Sequence, residues 1–275
     1  MNRRTLLAAL PAAASLAPAQ PPASKGRIKQ SLCRWCYAKV PIDELCAEAV
    51  KLGIQAMDLV NEKEWEAVKK HGLTLTAVSG PTSIPNGFNR KEDHDAIEAK
   101  FKTMIADAAR AKAHSLIVFS GNRKGMPDDQ GAENCIIGLN RVKKYAEDAG
   151  VLVIMELLNS KVNHKDYMCD HTAWGAKVMK EVNSPMMKLL YDIYHMQIME
   201  GDVIRTIREN AQWIGHYHTG GNPGRNEIDD TQELNYPAIC KAIVETGYTG
   251  YLAHEFVPKR NWLASLTQAV SLCTV

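Results

Sequence analysis

The sequence predicts a (β/α)8 TIM barrel of the α/β class, with eight parallel strands, and three observations predict it. From residue 28 onward, eight short β-like runs alternate with eight longer amphipathic stretches, the order that a strand–helix repeat demands. Several of the runs are continuously apolar, as strands are when helices cover a parallel sheet. No Gly-x-Gly-x-x-Gly follows any of the runs, which places the open doubly wound sheet behind the barrel. A chain of 275 residues, 45% of them apolar, is long enough for one such barrel.

The first run, IKQSLC (28–33), leads into PIDELCAEAVKLG, which opens at Pro41 and stops at Gly53. Proline's fixed φ suits a first helical turn, and glycine suits a helix end. GIQAMDLV (53–60) is the second strand, and EKEWEAVKKHG the helix that ends at Gly72. LTLTAVS (73–79) precedes the long RKEDHDAIEAKFKTMIADAARAKA, and SLIVFSG (115–121) precedes GAENCIIGLNRVKKYAEDAG, which closes on Gly150. VLVIMELL (151–158) pairs with TAWGAKVMKEVN, MKLLYDI (187–193) with DVIRTIRENA, IGHYHTG (214–220) with YPAICKAIVETG, and GYLAHEF (250–256) with NWLASLTQAVSL. Apolar residues fall at three- and four-residue spacing in most of the helical stretches. No linker or low-complexity segment interrupts the series, so residues 28–275 read as one domain.

Residues 1–19 read as an export signal and residues 20–27 as a linker. Arg3-Arg4 precede a short Ala- and Leu-rich run that ends on Ala17-Pro18-Ala19. Pro11 and Pro18 interrupt the run, so it is no bilayer-spanning helix. The paired arginines resemble a twin-arginine signal, so the expected location is periplasmic, with no membrane attachment after signal removal; without a signal the protein would be cytoplasmic. Net charge is +2, from 33 basic and 31 acidic residues, and the five Trp are scattered. That balance offers no footprint for nucleic acid. The expected partner is a small-molecule substrate, with a homo-oligomer open. Seven Cys at irregular spacing are not a disulfide framework. Cys33 and Cys36 form a lone C-x-x-C with no second pair for a four-cysteine zinc site; they read as semi-buried small residues, a disulfide between them staying open.

In a barrel of this kind the chemistry sits at the C-terminal ends of the strands. There, VIMELL carries Glu156, LLYDIY carries Asp192, GHYHTG carries His218 and LAHEF carries Glu255. Each lies inside or just after an apolar run, about one strand-plus-helix unit from the next. A buried carboxylate is costly unless a cation or donor meets it. Three on neighbouring strands repel one another, and a divalent cation is the simplest remedy. Two Glu, one Asp and one His suit a hard-to-borderline ion: Mn²⁺, Mg²⁺ or Co²⁺, with Zn²⁺ also compatible.

His216 shares His218's orientation one layer deeper, where it would orient a ligand carboxylate; a core histidine is the equal alternative. His254 has the opposite parity from Glu255 and should face the helices. The loop GGNPGR would present Arg225 to a carboxylate. Arg123 and Lys124 in SGNRKGM are weaker anion contacts, and Trp35 is an apolar wall or simple packing.

The segments MELLN, LLYDIYHMQ, IGHYH, PGRNEI and ELNYPAI together resemble the xylose-isomerase-like barrels, within them the hydroxypyruvate isomerases, with ketose 3-epimerases as near relatives. The similarity runs from about residue 28 onward and is specific in the later half. It implies that Glu156, Asp192, His218 and Glu255 hold the metal, and that Glu156 and Glu255 exchange protons with the substrate. It also implies that His195 and Arg225 contact substrate oxygens. His218 stands where hydroxypyruvate isomerases typically have Gln and ketose 3-epimerases have His.

The expected activity is therefore isomerisation of a small hydroxy-carbonyl compound through an enediolate, hydroxypyruvate to tartronate semialdehyde. A ketose 3-epimerase or other sugar isomerase is the alternative, and a non-catalytic sugar-binding barrel the second. Metal-dependent phosphodiester hydrolysis is disfavoured, because the early strand ends SLC, MDLV and TAVSG supply no His for a multinuclear cluster.

Overall fold

The computed structural model describes residues 26–275. Residues 1–19, expected as an export signal, and residues 20–25 of the expected linker lie outside the described residues. The described residues form nine strand segments, all parallel: β1 (Lys29–Cys33), β2 (Ala56–Asp58), β3 (Thr74–Thr76), β4 (Val78–Ser79), β5 (Ser115–Val118), β6 (Leu152–Leu157), β7 (Met187–Asp192), β8 (Ile214–Thr219) and β9 (Tyr251–His254). Their order in the sheet is β3-β2-β1-β9-β8-β7-β6-β5-β4. The two ends of that order, β3 and β4, are consecutive in the chain, so the ring closes and eight staves result, as the sequence predicts.

The third stave is split at Ala77, whose φ is +43°. An alanine there is in left-handed backbone, which interrupts the ladder. The Ser115 hydroxyl accepts from the Ala77 N–H at 2.9 Å, and the His114 N–H donates to the Leu75 carbonyl at 2.8 Å, so the seam is still tied.

Among the described residues nine α-helices wrap the ring: α1 (Ile42–Lys51), α2 (Trp65–Lys70), α3 (His94–Arg110), α4 (Asp128–Ala149), α5 (Thr172–Val182), α6 (Ile193–Met199), α7 (Val203–Asn210), α8 (Tyr236–Glu245) and α9 (Trp262–Cys273). Eight match the amphipathic stretches. The ninth, α6, follows β7 without a loop, and Asp192 is at once the last strand residue and the helix N-cap. Local chemistry sets other ends: Asn235 and Asn261 cap α8 and α9 with their side-chain oxygens, and Gly150 ends α4 in left-handed conformation. No helix among the described residues is long and apolar enough to cross a membrane.

The main core lies between ring and helices. A smaller apolar plug of Ala77, Ile117, Ile154 and Leu190 is buried as a separate cluster. Strand alternation then dictates what lies above it. Glu156 stands two residues beyond Ile154, and Asp192 two beyond Leu190. On β8 the lower position is not apolar but His216, with His218 above it.

Candidate functional site

The four residues that the sequence singles out converge. Glu156 is in β6, Asp192 ends β7, His218 is in β8 and Glu255 directly follows β9. One ligand atom from each lies within 4.8 Å of the other three. All four are buried. His218 Nδ1 is 2.7 Å from Glu255 Oε2 and 3.6 Å from Glu156 Oε1.

Charge is crowded here. Burial pushes the Asp192 carboxyl up to about 8; Arg225 opposes this, and the Glu255 charge adds to it. Burial and the Glu255 charge also lift Glu156, against its contact with His218. At Glu255 burial pulls the same way, but Arg225, His218 and the Trp35 N–H together outweigh it and hold the carboxyl well below the usual range. The protein's own cations therefore satisfy one carboxylate and leave two under-compensated. Three carboxylate oxygens and one imidazole nitrogen, buried and converging, fit a divalent cation of hard or borderline character.

Arg225 and Trp35 form the wall. Arg225 Nη2 donates to Asp192 Oδ2 at 3.1 Å and to Glu255 Oε2 at 2.6 Å. Its guanidinium lies over the rings of Trp35 and Tyr194, at 5.3 and 5.5 Å. Its Nε–H is buried without a protein partner. Trp35, expected as an apolar surface, is also a donor: its indole N–H meets Glu255 Oε1 at 2.7 Å.

His195, in the first turn of α6, has a defined tautomer. Its Nδ1 accepts from the Asn159 backbone N–H at 3.1 Å and from the Asn159 amide at 2.5 Å. The proton is therefore on Nε2, which lies 3.6 Å from Asp192 Oδ2 and makes no hydrogen bond within the protein. Burial, then the Arg225 charge, hold His195 well below its ordinary pKa. It is a neutral donor aimed at the cluster.

Beneath the cluster lies a residue that the sequence reading passed over. Asp58, the last residue of β2, is fully buried. Its Oδ1 accepts from the hydroxyls of Ser31, at 2.6 Å, and Thr76. Its Oδ2 is 2.6 Å from His216 Nε2 and 3.3 Å from His218 Nε2. His216 thus meets a carboxylate, but not one of the four that it was expected to orient. Burial works against the Asp58 charge, and the two histidines overcome it, holding the carboxyl far below its usual range.

Other expectations resolve plainly. Arg123 is no anion contact: it pairs with Asp128 at 2.6 Å and Asp170 at 3.0 Å, and so ties two loops together. Lys124 reaches Asn86 Oδ1 at 3.0 Å. His254 faces away from the cluster, with Nε2 2.9 Å from Gln30 Oε1. Cys33 and Cys36 are free thiols, and Cys33 Sγ lies 3.8 Å from His218 Nε2.

The fold and the convergent carboxylate–histidine cluster define a parallel barrel with a candidate divalent-metal centre at the C-terminal mouth of its strands. Residues 45–271 match the xylose isomerase-like TIM barrel family, and the chain belongs to that family. Its relatives include hydroxypyruvate isomerase from Escherichia coli (strain K12), 36% identical over 126 residues, which cover 45% of this chain and 48% of the relative. D-psicose 3-epimerase from Agrobacterium fabrum is 26% identical over 197 residues, 69% of this chain and 66% of the relative. The matches to the proteins named "Putative hydroxypyruvate isomerase" from human, Xenopus laevis and Danio rerio span about half of those proteins' length. Among solved structures, AP endonuclease, family 2, from Brucella melitensis has a TM-score of 0.77 at 23% identity, covering 90% of this chain and 98% of that one, a likeness of fold.

Proposed function

We propose that this chain is a divalent-metal-dependent isomerase of a small hydroxy-carbonyl compound, with hydroxypyruvate as substrate and tartronate semialdehyde as product. The observation that carries the reading is the convergence of Glu156, Asp192, His218 and Glu255. The names of the hydroxypyruvate isomerase relatives support the substrate, and those of the isomerase and epimerase relatives the reaction class.

The four residues would hold the ion; Mn²⁺, Mg²⁺, Co²⁺ and Zn²⁺ all suit them. When bound, the ion supplies positive charge that polarises the substrate's carbonyl and neighbouring hydroxyl. The rest falls to the chain. Glu156 and Glu255 form the acid–base pair: one accepts the proton that leaves carbon, and the other, or the same one, returns it. Delivery to the adjacent carbon, with the hydroxyl proton passing to the former carbonyl oxygen, turns the ketone into the aldehyde. The Nε2–H of His195 and the Nε–H of Arg225, both without protein partners, donate to substrate oxygens. Arg225 meets the substrate carboxylate, and the Trp35 and Tyr194 rings fix its plane. The proposal also keeps residues 1–19 as an export signal and the barrel as a periplasmic, small-molecule enzyme.

Epimerisation of a ketose at C3 is the second reading. His218 favours it, and the match to D-psicose 3-epimerase over 69% of this chain is consistent with it. Purified protein incubated in D₂O with hydroxypyruvate, and separately with a ketohexose, distinguishes the two. Deuterium should enter the hydroxypyruvate–tartronate semialdehyde pair, and exchange should stop with EDTA. Label only in the ketohexose replaces the first reading with the second. Binding without label in either substrate refutes both.

A further inference from the structure

We propose that Asp58 is a positioning residue for the candidate metal centre: it holds the His218 proton on Nε2, so that the Nδ1 lone pair faces Glu156 and Glu255. The inference rests on the metal reading of the cluster and adds a residue to it.

The argument starts from the ways in which His218 can be satisfied. Its Nδ1 faces Glu255 Oε2 at 2.7 Å, and its Nε2 faces Asp58 Oδ2 at 3.3 Å. Each ring nitrogen therefore has a carboxylate in front of it. Without Asp58, a neutral His218 would place its proton on Nδ1 and donate to Glu255. That arrangement satisfies the protein internally and consumes the nitrogen that a cation needs. With a fixed carboxylate on the far side, the neutral ring donates from Nε2 and leaves Nδ1 as an acceptor among three carboxylates.

The carboxylate is well fixed. Ser31 from β1 and Thr76 from β3 both donate to Oδ1, which sets the plane of the group. His216 takes the other flank of Oδ2 at 2.6 Å. Its Nδ1 is buried with no partner, which makes Nε2 the donor, because a lone pair without a partner costs less than a buried N–H without one. Two histidines, two apart on β8, thus converge on one oxygen, the lower one bracing the carboxylate that orients the upper one. Ser31, Asp58, Thr76, His216 and His218 are all fully buried. A purely structural polar cluster needs no such link to His218, and that difference can be tested.

Mn²⁺ titration calorimetry on the full chain compares wild type, Asp58→Asn, His218→Gln and the double variant. Asparagine can keep Oδ1 toward the histidines and turn its amide to the two hydroxyls, so the fold should survive, but a neutral amide oxygen accepts far more weakly than a carboxylate and no longer fixes the His218 proton. D58N should weaken Mn²⁺ binding about 10- to 100-fold, and in the H218Q background it should add little. An equal loss in both backgrounds, or D58N within about threefold of wild type, overturns the proposal while leaving the metal reading intact. A wild type that binds no Mn²⁺ overturns both. Should D58N not fold, ¹⁵N spectra of the EDTA-treated wild type, at a pH where the His218 ring is neutral, decide: a proton on Nε2 supports the proposal, and a proton on Nδ1 overturns it.

Discussion

Replacing Asp192 with asparagine should stabilise the metal-stripped protein and abolish its response to metal. An ordinary aspartate carboxyl ionises near pH 3.8, but burial raises Asp192 to about 8 in the fold. A carboxyl raised in this way makes the fold lose stability as pH climbs through that interval, because the unfolded chain releases its proton first. At pH 7 the interval already crossed is about 3 pH units, or about 4 kcal/mol at 1.36 kcal/mol per unit. Coupling to Glu156 and Glu255 shares that penalty, so about half is a fair expectation for one substitution. Asparagine carries none of it. Its side-chain oxygen can still accept the His195 N–H that Asp192 accepts at 3.2 Å, and Asn caps helices about as well as Asp. In EDTA at pH 7 to 8, D192N should therefore be about 2 kcal/mol more stable than wild type, a rise of about 4–8 °C in Tm for a chain of this size. Added Mn²⁺ should reverse the order. Wild type gains about 2.7 kcal/mol at one hundred times its Kd, and D192N gains little. Scanning fluorimetry or calorimetry reads both. D192N melting at or below wild type in EDTA refutes the electrostatic account, and equal Mn²⁺ stabilisation of both proteins refutes Asp192 as a ligand.

Glu156→Gln and Glu255→Gln should each cut turnover by about 10²- to 10⁴-fold, with deuterium exchange falling in step; retained exchange in both would remove them from the proton path. His254, buried and held neutral with a pKa near 3, makes stability fall as pH drops below 6.5, the value of the unfolded chain. In EDTA, urea denaturation at pH 7 and pH 5 should show His254→Gln losing about 2 kcal/mol less than wild type, or gaining about 2 kcal/mol more, over that interval, whatever the raised Asp192 carboxyl adds to both proteins. Leu190→Ala should cost about 2–5 kcal/mol, because Leu190 is fully buried against Ile117 and Ile154 under the cluster and nothing can collapse into its place. A loss under 1 kcal/mol would mean that this plug is loosely packed.

The sequence was most legible where burial and charge conflict. Glu156, Asp192 and Glu255 stand out because a carboxylate inside or beside an apolar run needs an explanation, and their spacing by one structural unit makes that explanation common to all three. Asp58 carries the same mark in AMDLV, yet it was passed over. Its strand is only Ala56–Asp58, and its partners His216 and His218 lie some 160 positions further on. Helix α6 was hidden for a different reason: one residue ends the strand and begins the helix, so no turn signal separates them. Arg123 was misread because sequence reports a cation in a loop but not the Asp128 and Asp170 carboxylates that the fold brings to it. Ala77, an alanine in left-handed backbone, has no local signature; the seam of a closed ring imposes it.

The two oxygens of Asp192 point to different duties, one to the His195 amide and one toward Arg225 and the cluster. Strand end, helix start and imidazole are thereby welded into a single unit. A lineage that reshaped residues 193–199 could not retune recognition of a substrate hydroxyl alone; any rotation of that short segment also re-aims one of the four ion-gripping side chains. Variation there should be rarer than the exposure of neighbouring loops would suggest, and when it comes it should change metal preference and substrate choice together.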